Sequence, residues 1–455
     1  MTELIELAVV GAGPAGLSAA AEAADLGLPV TLVDGFPLPG GQYFKQTPPE
    51  LGGAPDAQAR PLLARALGPD IQVLTGTSVW GIFAEPAGFL LCLYGPPGTP
   101  RRLRAKQVIL APGAHERPAP FPGWTLPGVL TAGAALALVK HQRLLPGRRI
   151  LLSGSGPLQL ILAQHLLDAG AEVVAILEAN PFPWQGWRHA RAAWGQWERL
   201  REGWAAWRTI QKAGTPLRWG HRVHRAEGEG QLERASFGPA QGGAVETVAV
   251  DTLCLGHGFT PSVQLARQAG CQHAYDPAQR VYLPVRDEWL QTTLPGLFVA
   301  GDGAGIGGKD VAQREGRLAA LGAARLAGRS VPPDRVAAVR HELAVQRRLA
   351  TALLAMFPAS EQLGDLLTDD TVLCRCEDIT VGEIRRAVAE GGTTLNALRM
   401  VTRAGMGRCQ GRMCGGPVVE LMARELGRPV EALGQVLPRP PVLPVPLEGL
   451  LETES

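Results

Sequence analysis

Lysine is scarce: of 44 basic residues only Lys45, Lys106, Lys140, Lys212 and Lys309 are lysines, a compositional bias that carries no functional reading. Charge of any kind is thin, 19% of the chain against an average of about 25%. No block of five like charges occurs and the net charge is only +2. Composition therefore gives no electrostatic footprint for nucleic acid or for an acidic membrane surface. A signal peptide is also missing, since Glu3 and Glu6 stand where a basic segment would be and the apolar run from Leu7 enters a glycine loop. The uncharged stretch from Pro118 to Val139 is broken by Pro118, Pro120, Pro122 and Pro127, which leaves too little continuous helix to span a bilayer. A cytoplasmic location is the expectation. Seven cysteines in 455 residues do not make a secreted disulfide framework, and Cys92, Cys254 and Cys271, far apart in sequence, read as ordinary buried thiols.

Glycine and proline are abundant instead, 57 and 38 residues, so tight turns are expected in number. The length exceeds what one core usually fills, and two or three domains follow. A near-continuous apolar strand, Leu4 to Val10, runs into Gly11-Ala12-Gly13-Pro14-Ala15-Gly16 and an alanine-rich helix to Asp25; a second strand ends at Asp34. In this βαβ context Gly11 makes the tight turn, Gly13 lets backbone approach a pyrophosphate at the helix N-terminus, and Gly16 permits close helix–strand packing. Asp34, 23 residues beyond Gly11, suits the ribose hydroxyls of an adenosine. Three further pieces follow: Pro39-Gly40-Gly41-Gln42, the strand and turn from Gln107 through Ala111 to Gly113, and Leu297 to Gly301-Asp302. Together they resemble the two-dinucleotide-binding-domain flavoproteins related to glutathione and thioredoxin reductases, over roughly residues 4 to 327. The resemblance implies an α/β fold with two Rossmann-like domains, FAD contacts at Gly301 and Asp302, Gly41 and Gln42 near the flavin, and a domain crossing after Ala111. A disulfide reductase is disfavoured, because neither Rossmann-like domain holds a Cys-x-x-Cys or Cys-x4-Cys pair. His115 and Glu116 read as residues that hold the crossing, and no catalytic acid or base stands out.

A second βαβ unit runs from Arg149 through Gly154-Ser155-Gly156 to a strand ending at Glu178. Its acidic end suits a second adenine nucleotide, but Gln159 fills the third glycine position, where helix and strand should be closest. A working NAD(H) site and a domain kept for architecture, or for a non-redox adenine nucleotide, both stay open. Seven of ten tryptophans then crowd into residues 181 to 219: Trp184, Trp187, Trp194, Trp197, Trp204, Trp207 and Trp219. Trp194, Trp197, Trp204 and Trp207 fall near one helix face, which is expected to be buried, in the chain's own core or against a partner protein. Arg188, Arg191, Arg199, Arg201 and Arg208 are interleaved with them.

Cys374-Arg-Cys376 and Cys409-Gln-Gly-Arg-Met-Cys414 supply four thiolates with no histidine among them, as a [2Fe-2S] cluster other than a Rieske centre requires. Zinc competes, although a Cys-x-Cys pair is awkward on one tetrahedral ion. Thr380 and Glu383 form a capping box opening one helix, and Thr394 caps another, so two short helices present the cysteine loops to each other. Gly405, Gly407, Gly411, Gly415 and Gly416 permit close approach of backbone N–H groups to a cluster of charge −2. The segment resembles the bacterioferritin-associated-ferredoxin-like [2Fe-2S] domain, a small helical domain following the two Rossmann-like ones.

The whole order resembles a flavoprotein group that includes the larger flavin-binding components of opine oxidases and of hydrogen cyanide synthase, and the α subunits of proline and hydroxyproline dehydrogenases. It implies an FAD-binding domain in two pieces, 1–115 and 275–330, an inserted NAD(P)-type domain, 116–274, a helical linker, 331–371, the [2Fe-2S] domain, 372–425, and a proline-rich tail, 426–455. In such complexes substrate is oxidised on an amino-acid-oxidase-like flavoprotein subunit, while chains like this one carry electrons onward. The implied function is thus an FAD and [2Fe-2S] electron-transfer subunit of an amino acid, amine or opine dehydrogenase, in a hetero-oligomer. A self-contained NAD(P)H-dependent reductase feeding a protein acceptor is the alternative. A third reading is an iron-responsive regulatory or scaffold protein without redox turnover.

Overall fold

The computed structural model describes residues 4–53, 55–184, 188, 194–358 and 362–450. Trp187 and Arg191 lie outside them. Contacts divide the chain into two compact units, one of residues 1–115, 260–351 and 437–455, the other of 116–259 and 352–436.

The apolar run Leu4–Val10 forms the central strand of the first unit, parallel to Val30–Val33 on one side and to Arg102–Leu110 on the other. Ile71–Leu74 extends the sheet in parallel beyond Val30–Val33, and Leu297–Val299 pairs with the end of Arg102–Leu110. Parallel strands are buried on both faces, which is why these segments read as continuous apolar runs. Pro14–Asp25 and Lys309–Leu326 are the helices packed here, and small residues set their spacing. A Cβ on Gly316 would stand 2.0 Å from the Ala15 carbonyl oxygen. Residues 260–274, expected with the inserted domain, pack in this unit, where Leu265, Ala266 and Cys271 join Val79, Ile82 and Leu93. The proline-rich tail returns to the same cluster: Val442 is buried and its amide donates to the Trp80 carbonyl at 2.8 Å.

In the second unit five parallel strands lie in the order Leu217–Trp219, Glu172–Glu178, Arg149–Gly154, Thr252–Gly256, Val129–Thr131. An antiparallel three-stranded sheet, His221–Glu227, Arg234–Pro239 and Glu246–Ala249, packs beside it. The cysteine-bearing segment belongs to this unit. It holds a short hairpin, Val372–Cys374 with Ile379–Thr380, and the helices Val381–Ala389, Leu395–Thr402 and Gly415–Leu426, around Leu373, Ile384, Leu398, Leu421 and Met422. Trp124 Nε1 donates to the Val372 carbonyl at 2.7 Å, and Met413 packs against the cluster of Phe121 and Trp124.

The tryptophan face departs from expectation. On the helix Trp197–Lys212 the buried residues are Ala206 and Ile210, while Trp197 is 66%, Trp204 59% and Trp207 39% exposed. Trp194 is 78% exposed. The helix turns its small and branched residues inward and leaves the indoles outside, so they do not pack on the chain's own core.

Candidate functional site

The first glycine loop closes because side chains are absent where backbone must meet backbone. A Cβ on Gly11 (φ +101°) would lie 2.3 Å from the Ala111 carbonyl oxygen, and one on Gly16 would lie 1.7 Å from the Gly11 carbonyl oxygen. Gly41 approaches Gly13 so closely that a Cβ there would stand 2.7 Å from the Gly13 Cα, and the Gly40 amide ties this turn to the Ala12 carbonyl at 2.8 Å. Gly301 (φ +72°) faces Ala15, its added Cβ being 2.9 Å from the Ala15 Cβ. The fold thus gathers Gly11, Gly13, Pro14, Ala15, Gly16, Gly41, Ala111 and Gly301 around one helix N-terminus, with Pro14 as its first residue and Gln42 exposed beside Gly41.

Asp34 accepts from the Ala12 amide at 2.5 Å and the Phe36 amide at 2.7 Å. Burial raises its carboxyl above the ordinary value, opposed by those two amides. A carboxylate offers about four lone-pair positions, so acceptor capacity is left for a hydroxyl donor. Asp302 receives the Gly307 amide at 2.9 Å and the Gly308 amide at 3.0 Å at the entry to the helix Lys309–Leu326. Burial raises it too, against the pull of the same amides. This backbone cradle, open for want of Cβ atoms and bordered by two buried carboxyls, fits an adenine dinucleotide.

Sequence reading missed the support beneath Gly301. Buried Glu315 accepts from the Gly301 amide at 2.9 Å, from Arg286 at 2.9 Å and from Arg347 at 2.7 Å. Burial works against its charge, but Arg286 and then Arg347 hold its carboxyl below the ordinary value. Those partners are 29 and 32 residues from Glu315, with no local pattern to announce them.

The second loop repeats the carboxylate arrangement. Glu178 accepts from the Gly156 amide at 2.8 Å and from the Asn180 amide at 3.0 Å. Burial raises Glu178 as it raises Asp34. The helix entry differs: Gln159 is buried, its Nε2 reaching the Leu177 carbonyl at 3.4 Å, and the first turn carries short i to i+3 bonds from Gln159 to Gly156 and from Leu160 to Pro157. Chain from beyond the sheet lies against this loop. Phe357 Cβ is 4.0 Å from the position a Cβ on Gly156 would take, Phe357 stacks with Trp219 at 6.4 Å, and Asn180 Nδ2 donates to the Pro358 carbonyl at 3.3 Å. The second glycine of such a loop is the one a pyrophosphate approaches, so Phe357 stands on the ligand side. Glu116 accepts from the Gly133 amide at 2.7 Å, at the start of the helix Ala132–His141, which makes it a helix cap.

The four cysteines of the C-terminal segment stand in two pairs. Cys376 and Cys409 lie 3.4 Å apart, Sγ to Sγ, and Cys374 is hydrogen-bonded to Cys414, which lowers Cys374 to about 5 and raises Cys414. The Gly405, Glu377 and Cys376 amides also favour a Cys374 thiolate. Gly405 stands where a Cβ would lie 3.7 Å from the Cys414 sulfur, and Gly407 where one would lie 2.9 Å from the Cys376 Cβ. Among the described residues no three histidine, cysteine or acidic side chains are arranged around a single metal ion. Four thiols paired two and two within a glycine-lined, amide-rich pocket fit a two-iron cluster, each pair serving one iron. The capping boxes expected at Thr380 and Thr394 are formed, with Glu383 returning to the Thr380 amide at 2.8 Å and Thr394 accepting from the Ala397 amide at 3.2 Å. Cys92, Cys254 and Cys271 are buried and free.

Residues 5–320 match the family described as pyridine nucleotide-disulphide oxidoreductase, and residues 372–424 match the BFD-like [2Fe-2S] binding domain. The chain belongs to the first of these families and carries the second domain, so it is an FAD-type oxidoreductase with an iron–sulfur module, as the resemblance implied. Among characterised proteins it is 33% identical to the larger flavin-binding component, the A subunit, of opine oxidase from Agrobacterium tumefaciens, over 99% of this chain and 92% of that one. It is 32% identical to hydrogen cyanide synthase subunit HcnB of Pseudomonas aeruginosa, over 98% of this chain and 99% of that one. The fold of L-proline dehydrogenase from P. horikoshii superposes with a TM-score of 0.74 at 21% identity, covering 99% of this chain and 80% of that one. Among the described residues no helix is long and apolar enough to cross a membrane.

Proposed function

We propose that this chain is the electron-transfer subunit of a multi-subunit FAD-dependent amino acid, amine or opine dehydrogenase. The observation that carries this reading is the presence, in one chain aligned end to end with a component of an opine oxidase, of a flavin-type glycine loop and a four-thiol domain. FAD accepts electrons in pairs and a two-iron cluster releases them singly. In this reading Gly11, Gly13, Pro14, Ala15 and Gly16 cradle the pyrophosphate, Asp34 holds the adenosine ribose, and Gly301 and Asp302 orient the ribityl chain. Gly41, Gln42 and Ala111 border the flavin. Cys374, Cys376, Cys409 and Cys414 ligate the cluster. Substrate is oxidised on a partner, an amino-acid-oxidase-like flavoprotein, within a hetero-oligomer.

The self-contained NAD(P)H reductase has one observation in its favour: Glu178 caps the second loop as Asp34 caps the first. Phe357 against Gly156 and buried Gln159 weigh the other way, leaving the second domain an architectural element without nicotinamide. Stopped-flow bleaching of the flavin band separates the readings. The lone chain should not be reduced rapidly by NADH, NADPH, proline, hydroxyproline, an opine or glycine, and amino acid-dependent reduction should appear when the partner flavoprotein is added. Fast reduction of the lone chain by NADH would move the assignment to the reductase.

A further inference from the structure

The helix Trp197–Lys212 carries its side chains in four sorted sectors. At about 100° per residue, with Trp197 at zero, Trp204 lies near about 340°, Leu200 near about 300° and Trp207 near about 280°. Arg208, Arg201 and Lys212 follow at about 20°, 40° and 60°. Glu198 and Glu202 come next, at about 100° and 140°, and the buried pair Ala206 and Ile210 at about 180° and 220°. An exposed indole ridge is therefore bordered on one side by cations alone, with the acids beyond them. Arg208 lies over the Trp204 ring at 4.7 Å, and Trp194 meets Trp197 edge-on at 6.0 Å. Exposed Trp184 and Phe182 pack on each other at 4.7 Å and extend the aromatic surface.

Indoles prefer the boundary between water and hydrocarbon, where the ring is buried and the N–H stays hydrated. A row of arginine and lysine beside them meets lipid phosphates, and the acids sit far enough round the helix to stay in water. A hot spot for a protein partner would instead set its tryptophans in a pocket ringed by drier contacts; these stand out as a ridge. We propose that the Trp197–Lys212 helix docks this chain on an anionic lipid surface, lying along the headgroup boundary with Trp197, Trp204 and Trp207 inserted and Arg201, Arg208 and Lys212 on phosphate. The whole-chain charge of +2 is silent about this, because it sums signs that the helix sorts by face. The inference is independent of which redox partner the chain serves.

The test uses the full-length holoprotein with phosphatidylcholine vesicles containing about one third phosphatidylglycerol, and with pure phosphatidylcholine vesicles. Co-sedimentation with the anionic vesicles and a blue shift of tryptophan emission are expected at low salt. Pure phosphatidylcholine should bind at least about tenfold less, and raised salt should release the protein from the anionic vesicles. The double variant Trp197→Ala/Trp204→Ala should lose at least about tenfold in partition, and Arg201→Gln about fivefold, with flavin content and circular dichroism unchanged. Wild-type protein that stays in the supernatant, or a double variant that binds equally, overturns the proposal. Tryptophan-dependent self-association or capture by a partner protein, without vesicle binding, also overturns it and gives the face to that partner.

Discussion

His257 follows the end of the strand Thr252–Gly256 and is buried. Burial first, then the nearby Arg117 and Arg222, lowers its pKa to about 4 from an ordinary value near 6.5. The folded protein therefore holds this imidazole neutral where the unfolded chain would take a proton. Stability linked to His257 is complete above about 6.5 and is lost as pH falls toward 4, by roughly 3 kcal/mol at most. His273 is lowered to about 4 as well, mainly by its own burial, and acts in the same direction. Denaturant titrations at pH 7 and pH 5 should show the midpoint falling with acid, and His257→Gln should remove about half of that fall. An undiminished fall in the variant would place the acid sensitivity elsewhere.

At the scale of elements, the two glycine loops separate what a loop needs to fold from what it needs to bind. Gly16 has no room for a side chain, and an alanine there would push the helix Pro14–Asp25 off its strand. Gly13 has an ordinary φ of −78°, and its added Cβ would touch only the Gly41 Cα, at 3.8 Å. Gly16→Ala should therefore lower the melting temperature sharply, consistent with a loss of about 3 kcal/mol or more for overpacking at a closed site. Gly13→Ala should fold normally and lose flavin affinity by at least about tenfold, because the methyl group would occupy the pyrophosphate's approach. Thermal melts and flavin retention after gel filtration check both. Wild-type flavin retention in Gly13→Ala would remove this loop from the dinucleotide site. In the second loop Gln159 occupies the matching position, buried rather than expelled, because that helix starts on a tighter turn.

At the scale of the whole molecule, the flavin-type residues belong to one compact unit and the four cysteines to the other. The two cofactor sites share no residue, so losing one cofactor should spare the other. Cys409→Ser is expected to abolish bound iron and acid-labile sulfide, about two of each per wild-type chain, while the FAD-to-protein ratio stays constant. Metal analysis, sulfide assay and the visible spectrum read this directly. Stoichiometric zinc without labile sulfide in the wild-type protein would replace the cluster by a structural zinc site.

Local pattern determined a good part of this protein. The strand Leu4–Val10, the glycine loop after it, the capping box at Thr380 and Glu383 and the spacing of Cys374, Cys376, Cys409 and Cys414 each depend on residues within one or two turns, so they were legible in the sequence. The tertiary structure decided what depends on distant partners. Glu315 became the anchor of Gly301 only when Arg286 and Arg347 folded around it. Phe357 reached Gly156 from about 200 positions along the chain. The tryptophan helix had the period of an amphipathic face, but periodicity only divides a helix into sides; which side meets the core is settled by the packing of Ala206 and Ile210.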